Sequence, residues 1–128
     1  MRLRFLGLDE VIALHADQIE RYGGSPGVRD LGMLESAVAT PEASFGDDYL
    51  HATLPEMAAA YLFHIAQNHP FIDGKKRVAA AAMIMFVYLN DHDIVCDEDE
   101  LVELTVGVAS GATTKADVAV FLAARITG

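Results

Sequence analysis

Residues Asn68–Arg77 read NHPFIDGKKR, and their neighbours on both sides carry apolar helical patterns. Upstream, Pro55 suits the first turn of a helix that runs to about Asn68. Met57, Ala58, Tyr61, Leu62 and Ile65 recur on it at helical spacing. Pro70 disfavours helix at the residue before it, so the pattern ends where the stretch begins. Downstream of Gly74 a second helix is expected to about Leu89, with Val78, Ala81, Ala82, Met85 and Leu89 as its stripe. The decapeptide therefore joins two buried helices, and its second half opens the later one.

The chemistry of the loop allows two readings. Backbone N–H groups at a helix start lack intrahelical partners and carry partial positive charge, so they attract phosphate. Gly74 has no Cβ to hold an anion away from the backbone. Lys75, Lys76 and Arg77 fall in the first turn, where cations oppose the helix dipole, and a bound polyanion would resolve that conflict. Histidine, as a residue type, is the natural general base for a hydroxyl nucleophile near neutral pH, and His69 is the candidate here. Asp73 is a carboxylate of the kind that holds Mg²⁺ beside phosphates. The other reading is a charged turn in which the histidine and the carboxylate are structural. The stretch is not a phosphate loop of the GxxxxGK[ST] type, because the upstream glycine is missing and Arg77 follows Lys76. The remaining histidines fit structural places: His15 on an apolar face, His64 within a helix, His51 in an irregular segment and His92 in an acidic loop. None has HExxH spacing.

Working outward, a first helix is expected from a cap at Asp9 to about Tyr22, with Val11, Ile12, His15, Ile19 and Tyr22 on one face. GGSPG at 23–27 stops it. A second helix spans about Asp30 to Thr40, with Leu31, Leu34 and Val38 in register, and Pro41 ends it. Residues 42–54 show no helical period and read as a loop or short β-like flap. Two further helices are expected at Glu98 to about Ser110 and Thr114 to about Ile126, the latter carrying Val118, Phe121, Leu122 and Ile126. The expected fold is all-α: about six helices and a flap in one domain over 1–128.

The 128 residues are 52% apolar, which suits a packed core and argues against disorder. No run approaches the ~20 apolar residues of a membrane span. The start, MRLRFLGLDE, lacks the apolar length of a signal peptide. Cys96 is the single cysteine, which excludes an internal disulfide and a cysteine-built zinc site, and a reducing cytoplasm is the expected location. The net charge of −10 argues against direct nonspecific nucleic-acid binding. Asp91–Glu100 holds six carboxylates in ten residues, either a solvated loop and helix start or a docking surface for a basic partner segment.

HPFIDGKKR resembles the Fic/Doc signature H-x-F-x-[D/E]-[G/A]-N-[G/K]-R. The flanks LDEVIALHADQIERYGGSPGVRDLGMLESAVA and AAAYLFHIAQNHPF resemble the Doc, or death-on-curing, toxin branch, and the likeness runs from about Phe5 to Phe121. It implies an all-helical bundle. It also implies His69 as the base that activates a target hydroxyl, Phe71 as a core anchor, Asp73 as the Mg²⁺ ligand, Gly74 in the anion nest and Arg77 as the phosphate clamp. Fic enzymes of this type transfer AMP from ATP. The Doc toxin phosphorylates elongation factor Tu, binds its nucleotide in the opposite sense, and is silenced by the C-terminal segment of the antitoxin Phd. No self-inhibitory [S/T]-x-x-x-E-[G/N] helix is present in the sequence, so the resemblance implies an inhibitor acting in trans. One position departs from the signature: Lys75 stands where it has asparagine. Lysine adds charge beside the phosphates and lacks the compact donor–acceptor amide of asparagine. Two functions remain open, a Doc-like transferase using Mg²⁺ and ATP, and a weakened or inactive binding module.

Overall fold

A computed structural model describes residues 3–68 and 75–128. Its helices are α1 (Leu8–Tyr22), α2 (Leu31–Ala39), α3 (Leu54–Gln67), α4 (Lys75–Leu89), α5 (Glu98–Ser110) and α6 (Lys115–Ala123). A 3₁₀ turn, Thr40–Glu42, extends α2. The strands are two-residue pairs: β1 (Ser44–Phe45) with β2 (Asp48–Tyr49), and β3 (Asp93–Ile94) with β4 (Ile126–Thr127), both antiparallel. The fold is the expected helical one, and the irregular 42–54 segment holds the β1–β2 hairpin as its flap.

α3 is the centre. Met57 through Leu62 are buried without interruption, as are Ile65 and Ala66. A helix apolar on every side must be enclosed on every side. α4, α6, α5, α2 and the 3₁₀ turn all pack against it. Its start is capped by Thr53, whose side chain accepts the Glu56 N–H, and Pro55 lies in its first turn.

The extended residues before α1 are attached by side chains. The phenol of Tyr61 accepts the Leu6 N–H at 2.8 Å and donates to the Leu6 carbonyl at 3.5 Å. Asn90 does the same for Arg4, accepting its N–H and donating to its carbonyl, both at 2.9 Å. The Asn90 amide also donates to the Phe86 carbonyl at 2.8 Å, which fixes its orientation. Tyr61 and Phe86 meet at 5.0 Å between ring centroids, so both pins rest on the α3–α4 contact.

Several element ends differ from the sequence reading. The cap of α1 is Gly7, not Asp9; the Glu10 carboxylate reaches back to the Gly7 N–H at 2.9 Å, leaving Asp9 in the first turn, where a carboxylate suits the dipole. Pro41 does not end helical structure abruptly; it sits buried in the 3₁₀ turn, whose φ it can adopt. On α4 the deep stripe is Val78, Ala79, Ala82, Met83, Phe86 and Val87, while Ala81, Met85 and Leu89 flank it half-buried. α6 stops at Ala123 rather than Ile126. Arg125 turns away to bond Glu100 at 2.7 Å, with its guanidinium 3.8 Å over the Phe121 ring. Ile126 and Thr127 then pair with Ile94 and Asp93. Strands of two residues carry no readable period, which is why β3 and β4 escape a sequence reading.

Much of the acidic stretch has local work. Asp97 caps α5 and accepts the Glu100 N–H at 2.8 Å, while Glu100 accepts the Asp97 N–H at 3.2 Å and also holds Arg125. Glu98 and Asp99 share the favourable first turn of α5. Further along, a Cβ at Gly107 would collide with the Thr113 side chain, so a residue without one lets the α5–α6 turn fold back onto the helix.

Tyr61→Phe keeps the ring and removes the hydroxyl, leaving the buried Leu6 N–H without a partner. The expected cost is about 1–3 kcal/mol, the penalty for one orphaned buried donor. Urea unfolding of parent and variant checks it; equal midpoints and slopes would show that the pin contributes nothing.

Candidate functional site

The loop that carries the sequence motif is held at both ends. Before it, the Gln67 amide donates to the Val108 carbonyl of α5, and the Asn68 amide donates to the Met33 carbonyl of α2 at 3.2 Å. The Asn68 N–H closes the last turn of α3 on the His64 carbonyl at 2.9 Å. After it, Lys75 opens α4, as the sequence reading placed it. His69, Phe71, Asp73 and Gly74 lie outside the described residues, so the base, the core anchor, the Mg²⁺ ligand and the anion nest stay expectations of the sequence. Lys76 and Arg77 are described, and both are exposed on the first turn of α4.

Their setting fits a polyanion. Two cations stand at the positive end of a fifteen-residue helix, and among the described residues no carboxylate pairs with either. Arg77 has a different neighbour: its guanidinium carbon lies 5.0 Å over the ring of Tyr22. Tyr22 is the last residue of α1 and was expected on that helix's buried face, yet it is 60% exposed. It stands past the end of the core, where the chain leaves α1 through Gly23 and Gly24 at φ 82° and 116°, a region glycine adopts without strain.

A second polar cluster was not read from the sequence. The Lys115 ammonium donates to Nε2 of His51 at 3.0 Å and to Nε2 of His64 at 3.1 Å. It ties the segment after the β1–β2 hairpin to α3 and to the start of α6. To accept from an ammonium, both rings must be neutral with their protons on Nδ1. Burial pushes the His64 pKa down to about 4, helped by Lys115 and then by His51. Burial also lowers His51, with Lys115 second and the Glu56 carboxylate opposing. The Nδ1 of His51 is buried, and among the described residues no well-formed hydrogen bond reaches it. The Thr40 carbonyl contributes the weakest of the influences on that ring. Nothing in the sequence pattern announces the cluster, because Lys115 and His64 are 51 residues apart and lie in helices that look ordinary. The His15 and His64 placements agree with the core or boundary positions expected of them.

The phenol of Tyr61 is pushed above its ordinary pKa, first by burial, and so stays a neutral hydroxyl suited to its structural pairing with Leu6. Among the described residues no group of three or more histidine, cysteine or carboxylate side chains is placed to hold a metal. No described helix is long and apolar enough to cross a membrane.

Comparison with known proteins agrees with the motif. A profile of the Fic/DOC family matches residues 5–87. The chain is 36% identical over 117 residues to the protein kinase doc of Escherichia phage P1, covering 91% of each. It is 36% identical over 127 residues to the toxin Doc of Mycolicibacterium smegmatis, covering 94% of this chain and 97% of that one.

The Lys115 bridge has a defined pH signature. A histidine whose pKa is depressed by folding supports the folded state in its neutral form. That support is complete above its ordinary value of 6.5 and is lost as pH falls through about 4. Lys115→Met removes the second cause and leaves the larger one, burial. The His64 pKa should therefore rise from about 4 without reaching 6.5, followed by the imidazole resonances in an NMR titration. An unmoved His64 pKa would show that the ammonium does not sit against the ring in solution.

Proposed function

The chain belongs to the Fic/DOC family, and we propose that it is a Doc-like toxin that transfers phosphate, or AMP, from ATP to a hydroxyl of a protein in the translation machinery, elongation factor Tu being the first candidate. The observation that carries the reading is the sequence HPFIDGKKR, whose last three residues open α4, with His69, Asp73, Gly74 and Arg77 at the positions of the signature it resembles that would supply base, metal ligand, nest and clamp. The exposed cations of that helix start, without carboxylate partners among the described residues, support it. The names of the two relatives, a protein kinase and a toxin, support it further.

Each residue has a task that follows from its chemistry. His69 takes the proton of the target hydroxyl as the hydroxyl oxygen bonds to phosphorus. The bond from phosphorus to the departing phosphate oxygen breaks in the same displacement, releasing ADP in phosphate transfer or pyrophosphate in AMP transfer. Arg77 and the N–H groups of the α4 first turn hold the charge that spreads over the phosphate oxygens. Lys75 and Lys76 add to the positive field there. Asp73 is the residue that would hold Mg²⁺, which when bound neutralises phosphate charge. A toxin of this kind requires a restraint, and a Phd-like antitoxin acting in trans is the proposed partner. The acidic face around Asp91–Glu100 is a candidate for its docking, in a single domain over 1–128 working in the cytoplasm.

Two experiments test the reading. ATP radiolabelled at the α or the γ phosphorus, added to a cell extract with the protein, should label a protein band; the labelled position separates AMP from phosphate transfer. His69→Ala should lower transfer ~10²–10⁴-fold and relieve growth arrest on induction, with the fold retained. Arrest as strong as the parent's would remove His69 from the role of base.

Lys75 favours a second reading, a weakened enzyme kept for its binding surface, because the signature places asparagine there. Misplacement of a reacting group by ~1 Å costs up to ~10²-fold in rate. Lys75→Asn should raise the transfer rate towards that extent and leave ATP binding unchanged or weaker, since the removed charge supports ground-state binding. Calorimetric binding and initial rates on both forms decide it. No gain in rate would mean that Lys75 is not the limit.

A further inference from the structure

We infer that Tyr22 is a positioning residue for the phosphate clamp: its ring holds the Arg77 guanidinium over the start of α4, ready for an anionic ligand. The inference rests on the reading of Arg77 as that clamp. Its geometry is the 5.0 Å approach of the guanidinium carbon to the centre of the Tyr22 ring, within the range of a cation–π contact.

Three features of the pair point the same way. First, Arg77 occupies the first turn of α4, where the helix dipole repels a cation, and among the described residues no carboxylate offsets that repulsion. The negative face of an aromatic ring offsets part of it without neutralising the charge. Second, an aromatic ring 5.0 Å from the guanidinium carbon does not take up the N–H donors as a carboxylate would, and leaves them to meet phosphate oxygens. A carboxylate partner would consume those same donors and cancel the charge, so an aromatic partner suits a clamp waiting for an anion. Third, Tyr22 contributes little by burial, being 60% exposed at the end of α1. The packing of α1 against α4 brings it to this place, and the turn through Gly23 and Gly24 carries the chain away beyond it. Residues of the same expected face, Val11 and His15, are buried and account for the packing of the helix.

The functional consequence is one of pre-organisation. Arginine has many rotamers, and a guanidinium already held in place loses less freedom when the ligand arrives. Exposed cation–π contacts are worth about 0.5–1 kcal/mol, which corresponds to a roughly 2–5-fold change in a binding constant.

The test uses the full chain, Mg²⁺–ATP as probe and four variants: Tyr22→Leu, Tyr22→Phe, Arg77→Ala and the double Tyr22→Leu/Arg77→Ala. Tyr22→Leu should raise the calorimetric Kd for ATP roughly 2–5-fold with its thermal midpoint near the parent's, and Tyr22→Phe, which keeps the ring, should restore most of the affinity. In the Arg77→Ala background Tyr22→Leu should have no further effect, because its contribution passes through the guanidinium. If Arg77→Ala weakens ATP binding and Tyr22→Leu does not, the clamp stands and the positioning role is overturned. If Tyr22→Leu costs the same with and without Arg77, the ring acts by another route and the inference is again overturned. If Arg77→Ala leaves ATP binding unchanged, the clamp reading fails and takes this inference with it.

Discussion

The enclosure of α3 is the constraint on which the other elements depend. Its residues from Met57 to Leu62 have no polar side to offer water, so one helix or sheet against it would not suffice. α4 and α6 take the largest shares of its surface, and α5, α2 and the 3₁₀ turn close the rest. Alanines at 58, 59, 60 and 66 keep the neighbouring axes close, while Tyr61, Leu62 and Ile65 fill the volume between them. The motif loop leaves from the end of this helix. The most enclosed helix of the molecule therefore ends where the motif begins, and α4, packed along it, begins where the described chain resumes.

Most polar groups inside such a core have a partner, and several of the partners here do structural work. The Tyr61 hydroxyl and the Asn90 amide each make a two-way exchange with one residue of the N-terminal segment, imitating a strand pairing with side chains. Lys115 is used differently. It lies between two imidazoles and obliges both to stay neutral, with burial acting in the same direction. The β1–β2 hairpin itself stands out in solvent, with Phe45 83% exposed. The segment after it is held down at His51. The hairpin thus combines an exposed tip with an anchored exit.

Cation placement divides in the same manner. Arg125 meets Glu100 and stacks on Phe121, which locks the turn into β4. Arg77 has an aromatic neighbour too, and among the described residues no acid. The first arrangement spends the charge on the fold; the second leaves it available to a ligand at a helix start that attracts anions in any case.

Helical period and several helix starts were legible in the sequence because each is a local preference. Pro55, Asp30, Thr114 and the apolar recurrence in α3 all act within a turn or two of where they stand. The motif His69–Arg77 was legible for a similar reason, since its residues are consecutive in the chain. By itself, then, the sequence determined an all-helical chain of the Fic/DOC kind and pointed to the residues proposed for its reaction. Only the tertiary structure decided the rest. It moved the α4 stripe by choosing which neighbours that helix faces, and it ended α6 early by offering Glu100 to Arg125. It brought His51, His64 and Lys115 to one point, and it laid Arg77 over Tyr22. The physical reason is common to these cases. Each depends on contacts between residues distant along the chain, whose free energy arises only once the packing around α3 has placed them together, and no local pattern encodes it.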